Sequence, residues 1–176
     1  DKFFKKQSFE LIRYANKPNG FNINQFCGST NIIFLQKEVL KQQADIGFAF
    51  DGDGDRLIIV DDSGAIVDGD DLLYLIAKYM QNLDALKGGV VGTVMSNIGL
   101  EIALNKLEIP FLRTSVGDQN IIKKLHHLNW SLGGEPSGHI IIPDWEVYGD
   151  GLVCANIILE IVENAGLPIN QLVKGM

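Results

Sequence analysis

Hydrophobic and polar positions switch repeatedly along the chain between a two-residue and a three-to-four-residue period. Residues 9–14, Phe9-Glu10-Leu11-Ile12-Arg13-Tyr14, read as a short strand, and residues 16–30, with Lys17-Pro18-Asn19-Gly20, as a polar loop without periodicity. Ile33, Leu35, Val39 and Leu40 give residues 31–43 a helical stripe. Two apolar strands, 45–50 and 57–60, flank a run of aspartates and glycines. Asp61-Asp62-Ser63-Gly64 then predicts a hairpin turn returning through Ala65-Ile66-Val67.

After Gly69 the pattern predicts a helix opened by Asp70-Asp71 and running to about Leu86, with acidic residues suited to its N-terminus. A buried strand follows at 89–92, then a helix capped by Ser96 and reaching Leu107. Strands at 109–113, 130–132 and 139–142 alternate with helices from Gly117-Asp118 to about His127 and from Asp150 to Asn164. Pro168 starts a last short helix. Strands alternating with helices, plus hairpins, predict an α/β fold with mixed β-sheets flanked by helices. A domain boundary is expected near Val67. The sheet of residues 1–67 would have too few strands alone, so they read as the end of one domain; residues 68–176 read as a complete one.

With 176 residues, 46% of them hydrophobic and 21% charged, the composition is that of a soluble globular protein. The net charge of −7 excludes non-specific nucleic-acid binding, and Lys5-Lys6 and Lys123-Lys124 read as solvated faces. Apolar runs such as residues 72–77 are too short to cross a bilayer, and no signal peptide is seen, so no membrane partner is expected. The start at Asp1 rather than Met predicts a chain that begins inside a longer protein. Cys27 and Cys154 lack metal-ligand spacing and read as free thiols of a reducing cytoplasm.

The run Asp51-Gly52-Asp53-Gly54-Asp55-Arg56 carries the strongest chemistry. Three carboxylates at alternate positions repel one another unless a cation sits between them, and all-oxygen ligands suit Mg²⁺ or Ca²⁺ rather than Zn²⁺. Asp-Gly is also a turn dipeptide, but one pair would suffice for a turn. An EF-hand is rejected because its sixth position holds Arg56 instead of Gly and its twelfth Asp62 instead of Glu. Arg56 is either a counter-charge to the carboxylates or a phosphate contact.

A second constellation is Gly133-Gly134-Glu135-Pro136-Ser137-Gly138-His139. In an extended strand Glu135, Ser137 and His139 share one face and can grip sugar hydroxyls; otherwise the stretch is a surface turn. No third element completes a Ser-His-Asp triad, so hydrolysis is not expected. His126 and His127 read as surface residues, Gly149-Asp150-Gly151 as a helix start capped by Asp150. Trp145 and Tyr148 read as loop aromatics that line a pocket or pack as a lid.

Together these residues resemble the α-D-phosphohexomutase family, which interconverts 1- and 6-phosphorylated hexoses. The run from Asp51 to Arg56 is similar to its metal loop, and Gly134-Glu135-Pro136-Ser137-Gly138-His139 to its sugar-recognition loop. Residues 91–101 and Val116-Gly117-Asp118 are most similar to the phosphoglucosamine mutase branch, as are Asn19-Gly20 and Asn22-Ile23-Asn24. The resemblance implies that Asp51, Asp53 and Asp55 bind Mg²⁺, that Arg56 orients a phosphoryl group, and that Glu135, Ser137 and Asp118 bind substrate. His139 sits beside them and, with Arg56, is assigned to the catalytic set. Two positions depart from the branch: Gln119 stands where Arg is usual, and Pro136 where Gln often stands.

The implied reaction passes a phosphoryl group from a phosphoserine to a hexosamine phosphate through a bisphosphate intermediate, serving amino-sugar synthesis in the cytoplasm. The family's serine lies in a Ser-His-Asn context that these 176 residues do not contain. The chain is therefore expected to match the end of the second domain and all of the third, to need the other domains of a longer parent, and to be inactive alone. A homodimer is a further expectation, because an open sheet edge favours self-association. The rival readings are a phosphomannomutase/phosphoglucomutase and a non-catalytic, metal-stabilised sugar-phosphate binding module.

Overall fold

A computed structural model describes residues 9–176; Lys5-Lys6 lies outside the described residues. Helix α1 (Ile33–Gln42) leads into strands β1 (Ile46–Phe50), β2 (Leu57–Asp61) and β3 (Ile66–Val67). Then come α2 (Gly69–Asn82), β4 (Val90–Thr93), α3 (Ile98–Lys106), β5 (Phe111–Thr114) and α4 (Asp118–Leu128). The chain closes with β6 (Leu132–Gly134), β7 (Ile140–Ile142), β8 (Val147–Tyr148), α5 (Gly151–Ala165) and α6 (Ile169–Leu172). Among the described residues the strands form an antiparallel sheet β1-β2-β3 and a mixed sheet ordered β5-β4-β6-β7-β8.

In the mixed sheet β4 runs parallel to both β5 and β6, while β6-β7 and β7-β8 are antiparallel. Its inner strands β4, β6 and β7 are buried along their whole length because both faces are covered. Val90, Ile140 and Ile142 join a core with Leu100, Leu104 and Ile158, whereas Val91 and Ile141 face Ile121 and Leu125 of α4. The larger core also contains Leu57, Ile59 and Val67, so the two sheets share one apolar interior through α2 and α5. Each fully buried Leu or Ile there contributes about 1.5–3 kcal/mol. No single helix among the described residues is long and apolar enough to cross a membrane.

Several boundaries differ from the sequence expectations for local reasons. Residues 9–14 form no strand: they pair with no described strand, and Tyr14 instead packs edge-on against Phe34 and donates to Glu38 Oε2 at 2.6 Å. Helix α2 stops at Asn82, short of Leu86. Ser96 does not cap α3; Asn97 does, accepting from Gly99 N, while Ser96 Oγ turns inward to accept from Thr93 N. Strand β6 starts two residues later than expected, and Tyr148 belongs to the short strand β8 rather than to a loop. Asp150 caps α5 by accepting from Val153 N.

The start of α2 is a capping box. Asp68 Oδ1 accepts from Asp70 N and Asp71 N, and Asp71 Oδ2 accepts from Asp68 N. Burial pushes the Asp71 carboxyl up from 3.8 to about 6, against the Asp68 N–H that favours its charge. The folded chain then retains a proton that the unfolded chain has released, so stability falls as pH rises from about 3.8 to about 6. Asp71→Asn keeps an acceptor for Asp68 N but cannot ionise. Urea melts across that window are expected to show a flatter pH slope for the variant; an unchanged slope refutes the assignment.

Candidate active site

The aspartate loop is the connection between β1 and β2, and its register is set on both sides by the antiparallel pair, Phe50 opposite Leu57. Its backbone is tied to three other segments. Ser29 N donates to Phe50 O (3.1 Å), Gly151 N to Gly54 O (2.8 Å) and Leu57 N to Gly138 O (3.1 Å). Arg56 N donates to Asp51 Oδ1 at 3.2 Å. Ile23 and Asn24, from the polar loop before α1, pack against the space beside Gly52.

This arrangement brings carboxylate oxygens of Asp51, Asp53 and Asp55 within 4.8 Å of one another, forming an acidic group that could hold a metal ion. Among the described residues Asp55 Oδ1 is buried without a hydrogen-bond donor, and Arg56 Nε without an acceptor. The two stand 3.6 Å apart, with Arg56 Nε 3.7 Å from Asp51 Oδ2: ion-pair distances, too long for hydrogen bonds. An unsatisfied buried oxygen beside two further carboxylates fits a hard divalent cation with oxygen ligands. A cavity of about 460 Å³ opens on this loop, lined by Phe50, Asp51, Asp53, Gly149, Asp150 and Leu152 among others.

The second constellation is not an extended strand. The chain reverses between β6 and β7, with Gly138 N donating to Glu135 O and Glu135 N to His139 O, each at 3.0 Å. Glu135, Ser137 and His139 therefore do not line one strand face. Glu135 Oε1 accepts from Gly117 N at 3.0 Å, which ties the hairpin to the loop before α4. Ser137 Oγ is buried without a partner among the described residues. His139 is buried and points the other way, its Nδ1 3.2 Å from Asp55 Oδ2. Asp118 begins α4 with its carboxylate exposed, Oδ1 accepting from Gln119 N.

The sheet order explains why these pieces meet. From β4 the chain passes through α3 to β5 on one side, then through α4 to β6 on the other. The loops after β4 and β6 both leave from the carboxyl ends of the parallel strands, the end at which ligands usually bind in such sheets. Sequence reasoning missed what stiffens this edge. Arg113 donates to Thr93 O, to Ser96 O (2.7 Å) and to Glu101 Oε2. Asp70, read only as a helix-start charge, is buried and accepts from Asn97 N at 2.6 Å; burial raises its pKa although that N–H opposes the shift. Only the distance in sequence between these partners hid them.

Cys27 and Cys154 are free thiols, and burial pushes that of Cys154 up to about 12. His126 and His127 lie exposed in the last turn of α4.

Residues 68–176 match the family model described as phosphoglucomutase/phosphomannomutase, alpha/beta/alpha domain III. The chain belongs to the phosphoglucomutase/phosphomannomutase family. Phosphoglucosamine mutase of Azotobacter vinelandii is 50% identical over 173 residues, which are 98% of this chain and 39% of that protein. The chain thus spans about two fifths of the length of the curated phosphoglucosamine mutases it matches. Among solved family structures, a phosphoglucomutase/phosphomannomutase family protein of Burkholderia thailandensis superposes with a TM-score of 0.74 at 30% identity. That superposition covers 82% of this chain and 31% of that one. N-acetylphosphoglucosamine mutase of Aspergillus fumigatus, solved with GlcNAc-6P and magnesium, shares the fold: TM-score 0.70, 21% identity, 89% of this chain and 41% of that one.

Proposed function

We propose that this chain is the metal-binding and sugar-recognising part of a phosphoglucosamine mutase, a cytoplasmic enzyme interconverting glucosamine 6-phosphate and glucosamine 1-phosphate. What carries the reading is the direct contact between the two constellations: the hairpin residue His139 stands against Asp55 of the aspartate loop. In this reading Asp51, Asp53 and Asp55 hold Mg²⁺. When bound, such an ion offsets the negative charge of a phosphoryl group in transfer.

The chain's own residues do the rest. Arg56, half-exposed beside the carboxylates, orients the phosphoryl group with a guanidinium suited to phosphate oxygens. Ser137 Oγ, buried and without a partner among the described residues, has a donor and an acceptor for a sugar hydroxyl. Glu135 uses one oxygen on Gly117 N, which leaves the other for the sugar, and Asp118 stands at the exposed rim beside it. Residues 1–67 end one domain and 68–176 form the next; the phosphoserine comes from the remainder of a longer chain.

The test is a mutase assay of the longer parent protein with Mg²⁺ and a hexose bisphosphate activator, comparing glucosamine, mannose and glucose phosphates. Preference for glucosamine phosphate is expected, with no turnover by the 176 residues alone. Equal or better turnover of mannose or glucose phosphate would mean that Gln119 marks another substrate. Turnover of none would turn the reading into a binding module.

A further inference from the structure

Gly149-Asp150-Gly151, read from the sequence as a mere helix start, touches both halves of the site. Gly149 has φ +77° and donates its N–H to Ile140 O at 3.0 Å, which holds its backbone close to the His139 imidazole. A Cβ built there would overlap Cε1 of the ring and stand 2.7 Å from Nε2 and 2.9 Å from Nδ1. Two residues on, Gly151 N donates to Gly54 O at 2.8 Å, and a Cβ on Gly151 would stand 2.9 Å from Arg56 O and 3.0 Å from Gly54 O. The segment therefore approaches the imidazole and the aspartate loop at distances that only glycine permits.

The His139 side chain is 9% exposed, so its orientation is set by packing rather than by solvent. Its Nδ1 faces Asp55 Oδ2, and an ionised carboxylate only accepts hydrogen bonds, so Nδ1 carries the proton and donates. Asp55 has no other hydrogen bond to its side chain among the described residues, and its Oδ1 lies on the Arg56 side. One imidazole N–H is thus the hydrogen bond that orients the third carboxylate of the loop, whose other oxygen keeps its ion-pair contact with Arg56.

We propose that Gly149 and His139 form a positioning pair for the cation site: Gly149 holds the imidazole in place, and the imidazole holds Asp55 in the orientation that ligates the metal. The inference rests on the metal reading above. Groups that orient a metal's ligands typically contribute ten- to a hundred-fold in affinity. His139 in this view acts through Asp55.

Mn²⁺ titration of the 176-residue chain at constant pH, followed by electron paramagnetic resonance, tests the pair. His139→Ala and Gly149→Ala are each expected to weaken Mn²⁺ binding by about ten- to a hundred-fold. His139→Asn, whose amide nitrogen can take the place of Nδ1, is expected to recover most of the loss. Gly166→Ala controls for backbone strain, since Gly166 has φ +61° with nothing within 4 Å of its added Cβ, and should bind Mn²⁺ like the unmodified chain. If Gly149→Ala does not fold, the Ala–Asn contrast at His139 decides. Mn²⁺ binding that is lost in Asp53→Asn but unchanged in His139→Ala overturns the pair and leaves the metal reading standing. Failure of the unmodified chain to bind Mn²⁺ overturns both, and His139→Asn no better than His139→Ala overturns the orienting hydrogen bond.

Discussion

Replacing Gly138 by Ala is expected to lower stability by about 3 kcal/mol or more, as three costs add at one position. Gly138 has φ +90°, where an L side chain costs roughly 1–2 kcal/mol. Its added Cβ would overlap Leu57 O and stand 2.7 Å from the Leu57 carbonyl carbon and 3.0 Å from Leu57 N. These are backbone atoms of β2, which cannot swing aside as a side chain does, so overlap adds about 1–3 kcal/mol. Separation of the two segments also weakens the hydrogen bond from Leu57 N to Gly138 O, about 1 kcal/mol more. Against a typical total of about 5–15 kcal/mol, a sum of this size leaves a marginal chain.

Gly20→Ala isolates the first cost, because Gly20 has φ +87° and nothing within 4 Å of its added Cβ. Urea unfolding of both variants gives the comparison. A Gly138→Ala midpoint no lower than that of Gly20→Ala would show that the hairpin and the aspartate loop are not locked together as described. Gly69→Ala should carry the overlap cost without the cost of positive φ, since its Cβ would overlap Glu135 O on the other flank of the same turn.

The second large effect is on cation binding. Asp53→Asn is expected to weaken Mg²⁺ binding by about a hundred-fold or more, because one of three charges facing a hard ion is lost. Asp53 is exposed and its side chain makes no hydrogen bond or ion pair among the described residues, so the fold does not depend on it. With the chain in chelator, removing one of three clustered charges relieves repulsion, and melting is expected at the same or a higher temperature. With Mg²⁺ at about a hundred times the wild-type dissociation constant, linkage stabilises the wild type by about 2.7 kcal/mol. A hundred-fold weaker variant retains only about 0.4 kcal/mol at the same concentration. Thermal melts with Mg²⁺ and with chelator read this directly. An Asp53→Asn variant stabilised by Mg²⁺ as much as wild type would refute the assignment of the loop to a metal.

Much of this protein is local, and local information sits in the chain. The aspartate loop, the strands on either side of it and the helices α1, α4 and α5 follow from periodicity and turn chemistry. Asp150 caps its helix with an oxygen three residues from the N–H it accepts. The same holds for the hairpin after β2, where Asp61 Oδ1 accepts from Ser63 N and Ala65 N. The resemblance of the two loops to a family was legible for the same reason: each motif is a short contiguous run.

What only the tertiary structure decided are the meetings of residues far apart in the chain. Residues 9–14 have a strand's composition, but pairing needs a neighbour, and no described strand supplies one. Glu135, Ser137 and His139 would share a face if extended. The close approach of Gly69 and Leu57 to the 135–138 turn bends them instead toward Gly117 and Asp55, 18 and 84 residues away. Gly69, Gly138, Gly149 and Gly151 are ordinary glycines in the sequence. Their role lies in backbone contacts that one added carbon would break, and the hydrophobic pattern carries no record of where two backbones touch.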